Sequence, residues 1–338
     1  MRGFKTIKKQ PTQPQSQPQY EVADVLNKLG SKLEDLGLNS WQLRTLFALK
    51  KCRTSALGGH IDACDECGNI SISYNSCRNR HCPKCQGRNR EDWIQTRETE
   101  LLPVPYFHVV FTLPEVLNKT ALHEPKMLYD ILFESAWETL QTFGKNKNLQ
   151  MGMIAVLHTW GQNLSLHPHL HCIVPGGGVD ENGVWKNIKN DGKFLFSVKA
   201  LSKVFRAKFC EKLKANLKDK FNENQENEYE KIRQNLWEKP WVVYAKKPFG
   251  SPKSVVEYLG RYTHKIAISN QRIRKIDAET VTFSYKDYRQ KGIKKQMVLS
   301  HAEFIRRFAM HILPKRFVKI RHYGFLSSTW KRIKLKNL

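Results

Sequence analysis

The stretch HTWGQNLSLHPHLHC, residues 158–172, sets His167, His169 and His171 at alternate positions, with His158 eleven residues ahead of His169 and the apolar run Cys172-Ile173-Val174 behind. Side chains two apart on a strand share a face, so His169 and His171 present two imidazoles side by side across Leu170. Ile154-Ala155-Val156-Leu157 reads as the preceding strand, and a ten-residue connection lets His158 come alongside. Three imidazoles can hold one face of a divalent ion and leave positions open for substrate oxygens. A hydrogen-bonded structural histidine is the plainer reading for any one of them. Three at this spacing point to a site.

Working outward, Tyr106 to Leu113 is a β-rich run bounded by Pro105 and Pro114, a buried strand candidate. Leu117 to Phe143 carries Leu128, Ile131, Leu132, Ala136 and Leu140 on one helical stripe. Residues 198–238 are helical in pattern and highly charged, and read as a surface insertion. Towards the amino terminus, Val22 to Lys51 gives two short amphipathic helices, with Asn39-Ser40 between them supplying capping chemistry. Residues 1–20, rich in proline and glutamine and without apolar periodicity, read as a disordered basic lead.

The charge narrows the partner. Lysine and arginine number 57 against 31 acidic residues in 338, a net +26 spread along the chain. Such a field favours a polyanion. Aromatic residues are interleaved with the bases, as in Arg261-Tyr262, Arg321-His322-Tyr323 and Trp330-Lys331-Arg332, which suits stacking on nucleobases beside phosphate contacts. No apolar run approaches the roughly 18 to 20 residues that span a bilayer, and no signal core opens the chain. A cytoplasmic protein without a membrane partner is expected.

Six of the eight cysteines fall between Cys52 and Cys85. In an intracellular chain that clustering points to metal rather than disulfides. Cys64-x-x-Cys67 and Cys82-x-x-Cys85, separated by a 14-residue spacer, predict four thiolates on one structural Zn2+. Cys52, His60, Cys77 and His81 remain as packing residues or as a second, interleaved zinc set; His81, in the basic run Arg78-Asn79-Arg80-His81, has a phosphate as its other candidate partner. A block this small builds little apolar core, so metal would supply much of its folding free energy.

Downstream, SPKSVVEYLGRYTHK places a capping-box signature, Ser254-x-x-Glu257, before Tyr258 and Tyr262. The i, i+4 separation sends both hydroxyls from the same helical face. Tyrosines so spaced are commonly packing residues. Beside a histidine-metal site in so basic a chain they read as candidate covalent nucleophiles towards a phosphodiester.

From about Trp41 to Leu326 the chain resembles the rolling-circle transposases of the insertion sequence 91 family, two-tyrosine members of the HUH nuclease superfamily. The motifs that carry the resemblance are ALGGHIDACDECG, YNSCRNRHCPKCQ, FHVVFTLP, HPHLHC, YLGRYTHKIAIS and ILPKRFVKIRHYGFL. The resemblance implies an α+β fold: a nuclease domain with a central antiparallel sheet and flanking helices over residues 93–330, preceded by a helical segment at 21–51 and a zinc-binding domain at 52–92. It places the His-hydrophobic-His signature on His169, Leu170 and His171, with His158 as third ligand of a catalytic Mg2+ or Mn2+ and Gln162 as the runner-up. Tyr258 and Tyr262 match the family's nucleophile pair. Where relatives have glycine after Leu-Pro-Lys, Arg316 stands here, which alters loop geometry or adds a phosphate contact.

The implied activity is nicking and joining of single-stranded DNA through a 5′-phosphotyrosine link. It needs no external energy source, and the chain has no GxxxxGK[ST] phosphate loop. A non-catalytic zinc protein that binds nucleic acid is the alternative. Oligomeric state is not legible in the sequence.

Overall fold

The computed structural model describes residues 18–86, 91, 94–95, 101–188, 195–217, 223–246, 254–255, 258, 260 and 263–327. Most of the basic lead, Glu257 and Tyr262 lie outside the described residues.

The amino-terminal helices are α1 (Val22–Leu29) and α2 (Ser40–Lys50), joined through a 3-10 segment, Gly30–Leu36. Asn39 caps α2 by accepting from the Gln42 amide, and the Gln42 side chain returns a bond to the Asn39 amide, a reciprocal capping box. A two-stranded hairpin follows, β1 (Gly59–Ala63) and β2 (Ile70–Tyr74).

The centre of the molecule is a five-stranded, fully antiparallel sheet of order β12-β4-β5-β3-β8. Its strands are β3 (Tyr106–Thr112), β4 (Gly152–Trp160), β5 (Leu166–Pro175), β8 (Val243–Lys246) and β12 (Ile320–Gly324). A short hairpin, β6 (Gly177–Val179) with β7 (Trp185–Asn187), continues from β5. The helix expected over 117–143 is broken before Pro125 into α3 (Asn118–His123) and α4 (Pro125–Lys145), because proline starts a helix well and continues one badly.

The period of two along the strands divides the sheet's faces. Phe107, Val109 and Phe111 of β3, Met153, Ala155 and Leu157 of β4, and Leu170, Cys172 and Val174 of β5 form one core with α4. The residues between them, His108, His158, His169 and His171, belong to the other face.

Among their described residues, 198–238 are not the surface insertion expected of them. They hold α5 (Val198–Leu217) and α6 (Glu223–Glu238), and α5 buries Leu201, Phe205, Phe209 and Leu213 in the same core as the sheet. An apolar stripe at four-residue spacing faces inward, Lys199, Lys203 and Lys214 are exposed, and Lys208 and Lys212 pair with Glu138 of α4. Trp241 closes the contact, its ring centroid 5.3 Å from Phe205 and 5.1 Å from Phe209.

A second core joins the two ends of the chain. Val25, Leu26, Leu33 and Leu46 pack with Phe283, Phe304, Ile305 and Phe308, and Cys52, Cys82 and Cys85 share that cluster. The carboxyl-terminal partners come from a three-stranded sheet, β9 (Ile273–Ile276), β10 (Thr280–Asp287) and β11 (Ile293–Ser300), and from α7 (His301–Ala309). Trp41 Nε1 donates to the Leu313 carbonyl and Gln42 Nε2 to that of Ala309, each at 3.0 Å. Among the described residues no helix is long and apolar enough to cross a membrane.

Candidate functional site

The β4–β5 register makes His158 and His169 direct partners and sets His171 opposite Val156. A ligand nitrogen from each of His158, His169 and His171 lies within 4.8 Å of the others. His169 Nε2 and His171 Nε2 are 3.2 Å apart. The ring of His169 is fixed from behind: its Nδ1 donates to the His167 carbonyl at 2.6 Å, which leaves Nε2 with a bare lone pair. His167 itself is exposed and contributes its backbone. Burial holds His169 at about 4 and His171 well below the ordinary histidine range, so both are neutral at physiological pH. The donor set fits a divalent ion.

Gln162, Lys265 and the exposed Tyr288 line the cleft beside the triad. Trp160 stacks on His158, with centroids 4.4 Å apart and planes 21° from parallel. The Lys319 ammonium sits 5.3 Å over the Trp160 ring and donates to the carbonyls of Thr263 and Lys265 at 3.2 and 2.9 Å. Burial, with Arg80 nearby, pushes Lys319 down to about 7.

Ser254, Val255, Tyr258, Gly260 and Thr263 are helical. Val255 packs on Tyr106 and Ile173, on the histidine face of the sheet. The Tyr258 ring meets His108 edge-on at 5.2 Å, and Lys246 lies 5.4 Å over it. His108 Nε2 is in turn 2.8 Å from His171 Nδ1.

Sequence reasoning missed His108 and Trp160. The signal for His108 was present in FHVVF, where alternation puts a histidine on the face opposite Phe107 and Phe111.

The cysteines group differently from the spacing argument. Cys52, Cys77, Cys82 and Cys85 converge, with Cys52 Sγ and Cys77 Sγ at 3.6 and 3.8 Å from Cys85 Sγ. The reason is the β1–β2 hairpin. Pairing of Gly59 with Tyr74, extended by the Arg53 amide to the Asn75 carbonyl, brings the flanking Cys52 and Cys77 together at its base. The same pairing carries Cys64 and Cys67 to the far, exposed end. The expected foursome of Cys64, Cys67, Cys82 and Cys85 is therefore replaced, and the second set of Cys52, His60, Cys77 and His81 is divided.

His60 is exposed on β1, 3.7 Å from the Asp62 carboxylate. His81 lines a small cavity with Arg80, Trp160, Lys265, His311 and Lys319, away from the thiols. Burial and Arg80 push His81 down to about 3.

Left uncompensated, the four thiols would share protons. A hydrogen bond from Cys82 holds Cys77 down at about 5, Cys82 is driven up by the same bond, and burial lifts Cys52 to about 11. Four crowded sulfurs, three of them on buried cysteines, fit a structural zinc, which replaces those protons. Arg80 fastens the block to the carboxyl-terminal segment through the carbonyls of Pro314 and Phe317, and Lys84 pairs with Glu21 at 2.6 Å.

Residues 152–333 match the family described as "Putative transposase", and residues 24–113 match the "Transposase zinc-binding domain". A putative transposase, y4qJ, of Sinorhizobium fredii is 44% identical over 328 residues, covering 93% of this chain and 82% of its own. The transposase for insertion sequence element IS801 of Pseudomonas savastanoi pv. phaseolicola is 30% identical over 306 residues, 88% of this chain and 73% of its own. No solved structure matches. The fold, the cysteine cluster and these likenesses together define a DNA-processing protein of the transposase class. The chain belongs to the insertion sequence 91 family of transposases.

Proposed function

We propose that this transposase nicks and rejoins single-stranded DNA by tyrosine attack on a phosphodiester at an element end. One observation carries the reading: the Tyr258 ring packs on His108, which hydrogen-bonds His171 of the triad, so a candidate nucleophile and a candidate metal site share one face of the sheet. His158, His169 and His171 would hold Mg2+ or Mn2+, which when bound polarises a phosphate oxygen and orients the phosphorus.

The Tyr258 oxygen, or that of Tyr262, attacks phosphorus as the phenol gives up its proton. The bond from phosphorus to the 3′-oxygen breaks, that oxygen takes up a proton, and the 5′-phosphate remains esterified to tyrosine. A later attack by a 3′-hydroxyl on the phosphotyrosine reverses the exchange and joins strands. One ester replaces another at each step, so the chain needs no nucleotide cofactor.

Lys265 and Tyr288 in the cleft, and the chain's net +26, suit a DNA strand laid across the histidines. The zinc-binding domain at 52–92 and the nuclease domain at 93–330 are read as working units of this one enzyme. The test is a single-stranded oligonucleotide carrying an element end, incubated with Mg2+ or Mn2+. Nicking that requires the metal supports the reading, and binding without any nicking favours the non-catalytic alternative.

A further inference from the structure

Strand β3 places His108 where two parts of the site meet. Its Nε2 lies 2.8 Å from His171 Nδ1, and the two rings stack at 5.1 Å with planes 12° from parallel. The same ring meets Tyr258 at 5.2 Å and 69°. The register explains the placement. His108 shares its face of β3 with Val110, the partner of His171 on β5. Across β8 its partner is Lys246, whose ammonium lies over the Tyr258 ring.

An imidazole that gives one nitrogen to a divalent ion keeps its proton on the other, and an acceptor for that proton fixes the ring's tautomer and orientation. His171 turns Nε2 towards His169 Nε2, so with an ion held by those two nitrogens its Nδ1 would carry the proton. The atom beside that proton is His108 Nε2. His169 meets the same need with the carbonyl of His167.

We propose that His108 is a positioning residue that couples the ligand His171 to the nucleophile Tyr258. As an acceptor it aims the His171 lone pair at the ion, and as a ring it sets where the phenol stands. This inference rests on the proposed function above, in which the triad holds a metal and Tyr258 attacks DNA. A histidine that served packing alone would, when replaced, change stability and leave metal affinity as it was.

The test uses the full, zinc-loaded chain and two variants. His108→Phe keeps a ring against Tyr258 and removes the acceptor. His108→Gln offers an amide oxygen near the position of Nε2 and removes the ring. Mn2+ affinity is read by electron paramagnetic resonance titration, folding by thermal melting, and chemistry by the yield of covalent protein–DNA adduct at saturating Mn2+.

The expected result is a crossing. His108→Phe weakens Mn2+ binding by roughly 10- to 100-fold but recovers adduct once saturated, whereas His108→Gln binds Mn2+ nearly as the parent does and gives less adduct. Parental Mn2+ affinity in His108→Phe would overturn the proposal, and so would equal losses of affinity in both variants. Should His108→Phe fail to fold, the glutamine variant decides: parental affinity with reduced adduct supports the coupling, and lost affinity overturns it. A parent chain that binds Mn2+ no better than His169→Ala would instead bring down the metal reading, and this inference with it.

Discussion

His158 and His169 are direct partners across the β4–β5 ladder, with ring centroids 5.5 Å apart, so two strands of one hairpin supply the histidine site. Backbone hydrogen bonds, rather than a mobile loop, set the spacing of the nitrogens. The proposed ion would thus find its ligands in place instead of assembling them, which is the arrangement that makes a catalytic site effective.

Removing one ligand should separate chemistry from binding. His169→Ala or His171→Ala is expected to abolish metal-dependent nicking while single-stranded DNA still binds through the basic and aromatic groups. Nicking rate and a filter-binding isotherm on the same preparation check this. Parental nicking by either variant would contradict the assignment.

The cysteine grouping predicts unequal effects of like substitutions. Cys82→Ser removes a sulfur from the buried cluster that shares a core with Leu26, Leu46 and Phe308, so zinc should be lost and the amino-terminal helices should lose protection with it. Cys64→Ser, at the exposed end of the hairpin, should leave that zinc bound. Metal analysis with hydrogen exchange distinguishes them, and equal zinc loss from both would restore the grouping expected from spacing alone.

Strand alternation makes the histidine face legible in the sequence, because a period of two is a local property and His169-Leu170-His171 displays it openly. The pairing of the cysteines was not legible. Two Cys-x-x-Cys knuckles look equivalent in sequence, and only the hairpin's closure shows that Cys52 and Cys77 lie at its base while Cys64 and Cys67 lie at its tip. His108 was hidden because its role depends on which strand pairs with which. The apolar stripe of α5 was masked by its lysines, and what it packs against is a matter of tertiary contact.

That stripe gives a stability prediction. Phe205 is fully buried between Phe111, Phe209 and Trp241. Phe205→Ala should therefore cost about 3 to 5 kcal/mol. Urea unfolding measures it, and a change within about 0.5 kcal/mol, the usual surface effect, would mean that α5 is peripheral.

Acid should weaken the metal-free chain. His311 is buried, accepts from the Thr159 hydroxyl at Nδ1 and donates from Nε2 to the Leu164 carbonyl, and burial pushes it down to about 4. His108 and His169 are likewise held at about 4 by burial. The unfolded chain takes up these protons near the ordinary value of about 6.5 and the folded chain only near 4. Stability is therefore full above about 6.5 and falls as pH drops towards 4. Melting temperatures in a chelating buffer between pH 7 and 4.5 check the sign, and a flat profile would contradict it.

The covalent step is the central claim, and one gel tests it. A labelled single-stranded element end is incubated with Mn2+ and the parent chain, the Tyr258→Phe and Tyr262→Phe single variants, and the double variant, then run under denaturing conditions. Tyrosines four residues apart in sequence are not expected to stand in line with one phosphorus together, so the single variants should differ, with Tyr258→Phe losing more of the first-cut adduct. The account predicts a labelled protein band from the parent chain and none from the double variant, with its histidine-dependent Mn2+ binding unchanged. A labelled band from the double variant would contradict it.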